Sequence, residues 1–250
     1  LVGVATAKAL SFAADKPLVG VNHMEGHIFA NFLSHTELEP PFLALVVSGC
    51  HTQLVKVLGY NRFELMGQTR DDAAGEAFDK IARVMGYPYP GGPQIDKLAA
   101  LGNADAVVFP KALHEKNNFE FSFSGLKSAV LNYLHMQEQR GETYSPEDVA
   151  ASFQKTVVET LVEKTVNAAE LSGLRTVVLA GGVAANHGLT KAMETACKEK
   201  GYTFYKPEPI LCTDNGAMIG CRAYYMAQDG RFADMTLNAK PALSLTGTET

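Results

Sequence analysis

Two histidines near the N-terminus are the residues of this 250-residue sequence whose spacing first indicates chemistry. His23 and His27 enclose the pentapeptide HMEGH. Side chains four positions apart lie on one face of a helix, so both imidazoles can point at one metal ion. A carboxylate from a distant segment would complete a site of two histidines and one carboxylate, with open positions for a substrate. The alternative is that both histidines merely occupy a helix surface.

Asp214, in the motif TDNGAMIG, is the candidate for that carboxylate. It is equally a candidate N-cap for the following helix, and the two roles are compatible because a capping carboxylate keeps a free oxygen. A zinc peptidase is disfavoured, since its general base is a glutamate directly after the first histidine, where this chain has Met24. Glu25 lies one position further on, roughly on the opposite side of the helix.

Three glycine-rich segments are candidates for nucleotide binding. The first is a strand and turn whose backbone amides could hold phosphate, with residues Val46, Val47, Ser48, Gly49 and Cys50. The second, LAGGVAAN, joins a strand to a helix and would let Asn186 reach a ribose or base. The third, GGPQID, contains Gly92 and places Asp96 to bond ribose hydroxyls. The alternatives are an ordinary hairpin, a simple Gly-Gly turn and a tight loop.

Two further segments carry charge in a pattern. Asp72, Glu76 and Asp79 fall on one face of a predicted helix, which by default is a solvated face or a cap. The functional interpretation is that Glu76 and Asp79 border a polar cleft, as hydrogen-bond acceptors or a general base. A second segment could contact RNA or could instead pack its aromatic side chains inward. It comprises Lys111, His114, Lys116 and Lys127, interleaved with Phe119, Phe121 and Phe123.

The apolar spacing predicts strands alternating with long helices, and therefore an α/β protein. The predicted helices cover 1–14, 23–33, 71–85, 125–139 and 146–172, with another from about 186 and a last one capped by Asp214. The predicted strands cover 18–21, 42–48, 51–58, 63–67, 176–179 and 202–205. A rigid loop is predicted at 86–93.

Composition excludes some classes of protein. The net charge of -5 gives no general attraction to nucleic acid, so RNA contact would need a local patch or a partner. The four cysteines show no disulfide framework, which predicts a reducing cytoplasmic location. No apolar run reaches the length of a membrane span. The chain starts with Leu1 inside a predicted helix, so we expect that an N-terminal portion is missing.

Seven motifs, taken in order, resemble the tRNA N6-adenosine threonylcarbamoyltransferase family from about Leu1 to Ala223. They are HMEGH, VSGCHTQL, DDAAGEAFDK, GGPQID, FSFSGLK, LAGGVAAN and TDNGAMIG. The resemblance implies the fold of the actin, sugar-kinase and Hsp70 superfamily, with two ribonuclease-H-like lobes around a nucleotide cleft and the first lobe incomplete. It implies a first-lobe remnant with the metal-binding helix at 1–38, a second lobe at 39–212, and a C-terminal helix and tail at 213–250 returning to the first lobe.

The implied reaction is transfer of the threonylcarbamoyl group from threonylcarbamoyl-AMP to the exocyclic amine of the adenosine beside the tRNA anticodon. The implied ligands of one divalent metal ion, iron with zinc as the alternative, are His23, His27 and Asp214. The implied substrate contacts are Val46–Cys50, Asp79, Gly92, Asp96 and Asn186, and Glu76 shares the motif of Asp79. The implied partners are tRNA, a TsaB-like scaffold paralogue and a TsaE-like ATPase, without a membrane.

Two departures from the family pattern bear on activity. Cys50 replaces the second glycine of the family motif VSGGHT, which would cost about 1–2 kcal/mol if that position required positive φ or the close approach of a phosphate. The missing N-terminal portion would supply most of the first lobe, so we expect this chain to be poorly active alone. The rival functions are another carbamoyltransferase of the same core (for hydrogenase maturation or antibiotic O-carbamoylation), a non-catalytic scaffold paralogue, and a kinase or ATPase. The three candidate metal ligands disfavour the last two.

Overall fold

A five-stranded mixed sheet is the centre of the fold in a computed structural model that describes residues 1–113, 115, 117–241 and 243–245. The strand order is β3-β2-β1-β4-β5. Strands β1, β2 and β3 are antiparallel neighbours, whereas β4 and β5 run parallel to β1. The strands are β1 Phe42–Val47, β2 Thr52–Gly59, β3 Arg62–Gln68, β4 Thr176–Ala180 and β5 Thr203–Tyr205. The α/β class predicted from the sequence is confirmed.

Nine α-helices and one short 3-10 helix surround this sheet in the described part of the chain. The α-helices are α1 Val2–Ala14, α2 His23–Ser34, α3 Ala74–Val84, α4 Gly91–Ala99, α5 Ser124–Arg140, α6 Pro146–Ser172, α7 His187–Lys200, α8 Pro209–Cys212 and α9 Gly216–Gln228. The 3-10 helix spans Gly182–Ala185. None of the described helices has the length and apolar character needed to cross a membrane.

Strand β1 separates two apolar clusters, and every one of its residues is buried. Leu43, Leu45 and Val47 face the larger cluster, to which α3–α7 contribute. Phe42, Ala44 and Val46 alternate with them and face a smaller cluster, to which α2 and α9 contribute. Because both faces of the strand are covered, β1 has the continuous apolar run that the sequence shows. The division into lobes at 38 and 212 stays a prediction.

The start of α3 differs from the prediction. The helix begins at Ala74 and not at Asp71, because Thr52 Oγ1 from β2 accepts the hydrogen bond of the Ala74 N–H at 2.9 Å. The Asp71 carboxylate instead accepts hydrogen bonds from Phe123 and Ser124. The predicted helix face of three carboxylates is therefore wrong, since only Glu76 and Asp79 lie on α3.

Two other local predictions also differ from the structure. Gly91 and Gly92 form the first turn of α4 and not the end of a loop. The predicted strand at 18–21 is reduced to one isolated bridge between Leu18 and Ala233. In both places the backbone hydrogen bonds are made with residues distant in sequence. The spacing of apolar residues along the chain gives no information about such contacts.

The aromatic and basic segment around residue 120 packs inward. Phe119, Phe121 and Phe123 are all buried. Lys111 Nζ lies 2.8 Å from both Glu159 Oε2 and Glu163 Oε1. Lys127 Nζ lies 2.9 Å from Asp72 Oδ2. The inward-packing alternative is confirmed for these residues, and His114 and Lys116 lie outside the described residues.

Candidate metal centre and substrate loops

Three side chains from opposite ends of the chain converge at the start of α2. The Nε2 atoms of His23 and His27 lie 3.3 Å and 3.2 Å from Asp214 Oδ1. The potential ligand atoms of all three residues lie within 4.8 Å of one another. Asn22 caps α2 by accepting a hydrogen bond from the Met24 N–H at 2.9 Å, and this cap places His23 at the open end of the helix. Two imidazole nitrogens and one carboxylate oxygen this close together suit a divalent ion.

Asp214 does not cap α9, contrary to the prediction. The cap is Asn215, whose Oδ1 accepts a hydrogen bond from the Met218 N–H at 2.8 Å. The Asp214 side chain remains 78% exposed and turns toward the two histidines. Since Asn215 satisfies the helix end, the Asp214 carboxylate is available to bind a cation.

The electrostatic environment favours a neutral imidazole at His27. Its burial, together with the nearby His23, lowers the pKa of His27, although Asp214 acts in the opposite direction. A neutral imidazole is the form that binds a metal ion. The Nδ1 atom of His27 is buried and has no hydrogen-bond partner among the described residues. The Nε2 atom of His27 is the one that faces Asp214.

A third histidine, which was not among the predicted site residues, belongs to the same neighbourhood. Burial and the nearby His23 lower the pKa of His51, and His51 in turn lowers that of His27. His51 follows the β1–β2 turn in the motif VSGCHTQL, directly after Cys50. The sequence signal for including His51 in the site is its position inside the motif VSGCHTQL. The turn of the first glycine-rich segment is therefore near enough to the candidate metal centre for His51 to interact electrostatically with His23 and His27.

The first two glycine-rich segments meet at one edge of the sheet. Because β1 and β4 are parallel neighbours, the turns that follow them lie side by side. Gly181 has φ +90°, and a Cβ there would lie 2.4 Å from the Val47 carbonyl oxygen. The start of α3 adjoins the same turn, since a Cβ on Gly75 would lie 2.5 Å from the Ser48 carbonyl oxygen. Three segments thus approach one another closely at this edge.

The β1–β2 turn is held by its own serine. Ser48 Oγ accepts a hydrogen bond from the His51 N–H at 3.1 Å, and Ser48 N–H donates to the His51 carbonyl at 2.8 Å. Val46 and Val47 are completely buried strand residues, so a ligand at this edge would meet Ser48–Cys50 first. Cys50 is exposed and is not among the described non-glycine residues with left-handed φ. The strain considered for a side chain at this position therefore does not arise.

The two carboxylates of α3 have different environments. Asp79 Oδ1 accepts a hydrogen bond from the Gly91 N–H at 2.7 Å, which joins α3 to the start of α4. Glu76 Oε1 lies 2.8 Å from Lys80 Nζ, and that ammonium also lies 2.7 Å from Asp72 Oδ1. Gly92, the neighbour of Gly91, has open space where a side chain would stand.

Asp96 and Asn186 are brought together at the start of α7. Asp96 Oδ2 accepts hydrogen bonds from the backbone and the Nδ1 of His187, at 3.1 Å and 2.7 Å. Asn186 caps α7 through the Leu189 N–H at 2.7 Å. Gln154 joins the two residues, donating to Asp96 Oδ1 at 3.1 Å and accepting from Asn186 Nδ2 at 2.8 Å. Gln154 lies within a long helix and gives no sequence signal for this role.

Comparison with known proteins gives consistent results for sequence and for fold. The sequence model of the TsaD family, tRNA N6-adenosine threonylcarbamoyltransferase, matches residues 1–221. A protein of that name from Clostridium perfringens (strain SM101 / Type A) is 54% identical over 245 residues, which are 98% of this chain and 72% of the relative. The Clostridioides difficile (strain 630) protein of the same name is 52% identical with the same coverage.

The solved structures that resemble the chain support the fold. T. kodakarensis HypF aligns with TM-score 0.67 and 15% identity, over 91% of this chain and 39% of HypF. The (R)-2-hydroxyglutaryl-CoA dehydratase component A of Acidaminococcus fermentans aligns with TM-score 0.51 and 16% identity, over 89% of this chain and 73% of that one. At such identities the likeness concerns the fold alone, and it agrees with the predicted actin-, sugar-kinase- and Hsp70-like fold. The sequence comparison decides the family, and the chain belongs to the tRNA N6-adenosine threonylcarbamoyltransferases.

Proposed function

We propose that this chain transfers a threonylcarbamoyl group from threonylcarbamoyl-AMP to the exocyclic amine of the adenosine next to the tRNA anticodon, with one divalent metal ion bound by His23, His27 and Asp214. The family assignment supports the reaction and makes tRNA a partner. The observation that supports the metal site is the convergence of the three side chains from opposite ends of the chain. Iron is the proposed ion because two histidines and one carboxylate are typical of non-haem iron(II) sites.

The transfer forms one bond and breaks another. The adenosine N6 attacks the carbamoyl carbon, the bond from that carbon to the phosphate oxygen breaks, and AMP leaves with the electron pair. When bound, the metal ion supplies Lewis-acid polarisation of the donor's oxygens. We assign phosphate binding to the turn Ser48–Cys50 and to the turn after Gly181, because backbone N–H groups can stabilise developing negative charge. We assign binding of the ribose and the base of the donor to Gly92, Asp96 and Asn186.

The proton released by the amine needs an acceptor, and the environment of Asp79 suits this role better than that of Glu76. Lys80 holds the Glu76 carboxylate in an ion pair, which proton transfer to Glu76 would have to break. Asp79 has no ion pair within the described part of the chain, and one of its oxygens is fixed by the Gly91 N–H. A carboxylate that is fixed in place but not neutralised by a neighbour suits a general base.

Substituting each carboxylate by its amide distinguishes the roles of Asp79 and Glu76. We expect Asp79→Asn to lower kcat by about 100-fold or more, within the range for loss of a general base, while the amide oxygen still accepts from Gly91. We expect Glu76→Gln to change kcat by only a few-fold, on the order of one surface ion pair. Single-turnover transfer rates of both variants measure the difference. A larger loss in Glu76→Gln would assign the base to Glu76 instead.

Metal removal tests the proposed function as a whole. The purified chain, in excess over tRNA, is supplied with synthetic threonylcarbamoyl-AMP, and the modified adenosine is quantified before chelation, after chelation and after addition of iron(II) or zinc. Working with excess protein keeps a slow rate measurable. We expect transfer to be lost on chelation and restored by one of the ions. An equal rate in metal-free protein would contradict the proposed role of the ion.

The remaining assignments stay predictions. A TsaB-like scaffold and a TsaE-like ATPase rest on the family resemblance, and a cytoplasmic location rests on the cysteine pattern. The chain spans 72% of the length of the curated relatives named above.

A further inference from the structure

A buried ion pair lies between the two helices of the candidate metal centre. Arg222 of α9 is completely buried, and its Nε donates a hydrogen bond to Glu25 Oε2 of α2. Its Nη1 donates to the Tyr60 carbonyl at 2.9 Å. The guanidinium also lies over the rings of Phe29 and Phe63, 4.7 Å and 5.4 Å from their centroids. A buried guanidinium is tolerated only when it is paired in this way.

The Glu25–Arg222 pair links the helix that carries the two histidines to the helix that follows Asp214. Glu25 stands between His23 and His27 on α2. Arg222 stands on α9, which begins two residues after Asp214. The relative placement of these two helices therefore sets the distance between the histidines and the Asp214 carboxylate.

Helices α2 and α9 also cross closely at Gly26. A Cβ on Gly26 would lie 2.9 Å from Ile219 Cδ1 and 3.5 Å from Met218 Cγ, so α9 packs directly on the backbone of α2 there. Apolar packing of this kind brings helices together without fixing how far one slides along the other. A directional hydrogen bond between charged groups does fix that register.

We propose that Glu25 and Arg222 are positioning residues that set the register of α2 against α9 and thereby the geometry of the metal centre. The inference rests on the proposed function, because it assumes that His23, His27 and Asp214 bind an ion. Metal ligands must stand within a few tenths of an ångström of their bonding distances, so a small slide of α9 would weaken binding. Buried ion pairs are weak evidence for stability, whereas fixing the register of packed helices is their best-documented use.

Cobalt(II) binding tests the inference without an activity assay. The intact chain is titrated with cobalt(II), and visible absorption reports both the affinity and the ligand geometry. The variants are Glu25→Ala, Arg222→Lys and Glu25→Gln, and the control is Leu134→Ala, which truncates a buried side chain of the larger apolar cluster. Circular dichroism and urea unfolding establish that each variant is folded at the assay temperature.

We expect the cobalt(II) Kd to rise about 10- to 100-fold in Glu25→Ala and Arg222→Lys, as for other residues that orient metal ligands, with an altered absorption spectrum. Glu25→Gln retains an acceptor oxygen for Arg222 and should lose less affinity. Leu134→Ala should bind as the intact chain does. If Arg222→Lys does not fold, the two Glu25 variants still decide the question.

Two results would overturn the inference, and they are distinguishable. Unchanged affinity and spectrum in folded Glu25→Ala would show that the pair only stabilises the fold, while the metal site itself would stand. Failure of the intact chain to bind cobalt(II) would remove the metal assignment in the proposed function and this inference with it.

Discussion

Replacing His27 or Asp214 by alanine is expected to abolish stoichiometric metal binding and to reduce transfer to the rate of metal-free protein. Each variant removes one of three converging ligands, and two remaining ligands hold a divalent ion poorly. If the ion contributes several kcal/mol to the transition state, the expected loss of kcat is roughly 1000-fold. Elemental analysis gives the ion content per chain, and quantification of modified adenosine gives the rate.

His35→Ala is the matched control for the ligand variants. His35 follows the end of α2, and its Nε2 lies 2.8 Å from the Lys206 carbonyl, outside the candidate metal centre. We expect this variant to retain metal and rate. Retention of one ion per chain in both His27→Ala and Asp214→Ala would refute the assigned ligand set, even if their activity fell.

Gly181→Ala is expected to be the most damaging change at the sheet edge. The residue has left-handed φ, which an alanine adopts only with strain of roughly 1–3 kcal/mol. A Cβ would also lie 2.4 Å from the Val47 carbonyl oxygen, and relief of that overlap costs roughly a further 1–3 kcal/mol. Moving Val47 displaces the Ser48–Cys50 turn, so the KM for threonylcarbamoyl-AMP should rise as well. Urea unfolding and steady-state kinetics measure the two effects.

The neighbouring glycine provides a matched comparison for this prediction. Gly182 has no atoms within 4 Å of an added Cβ and does not have left-handed φ. We expect Gly182→Ala to change the free energy of unfolding by no more than about 0.5 kcal/mol. Equal destabilisation by the two substitutions would show that neither the left-handed φ nor the contact with Val47 is the cause.

Elements with strong local signals could be predicted from the sequence. The bounds of α6 follow from Ser145, which caps the helix through the Asp148 N–H, and from Gly173, which ends it with left-handed φ. Strand β1 follows from its continuous apolar run. The start of α3 could not be predicted, because its capping oxygen comes from Thr52 on another strand.

The candidate site shows the same limit. Helical spacing predicts that His23 and His27 share one face, and the structure places Asp214 beside them. Asp214 and Asn215 are both good helix caps, and local rules do not choose between them. The choice follows from the contact of Asp214 with α2. Gln154 could not be foreseen, since its amide gains a role only where α6 passes Asp96 and Asn186.

The exposed thiol of Cys50 makes the β1–β2 turn selectively labelable. Cys197 and Cys212 are buried, which raises the pKa of Cys197 to about 11 and also raises that of Cys212. Partial burial raises the pKa of Cys221 as well. Thiolates are the reactive form, so near neutral pH an alkylating dye should attach first at Cys50. At one molecule of dye per chain, slower attachment in the presence of threonylcarbamoyl-AMP would report that the substrate occupies the turn. The unmutated protein can be used for this measurement.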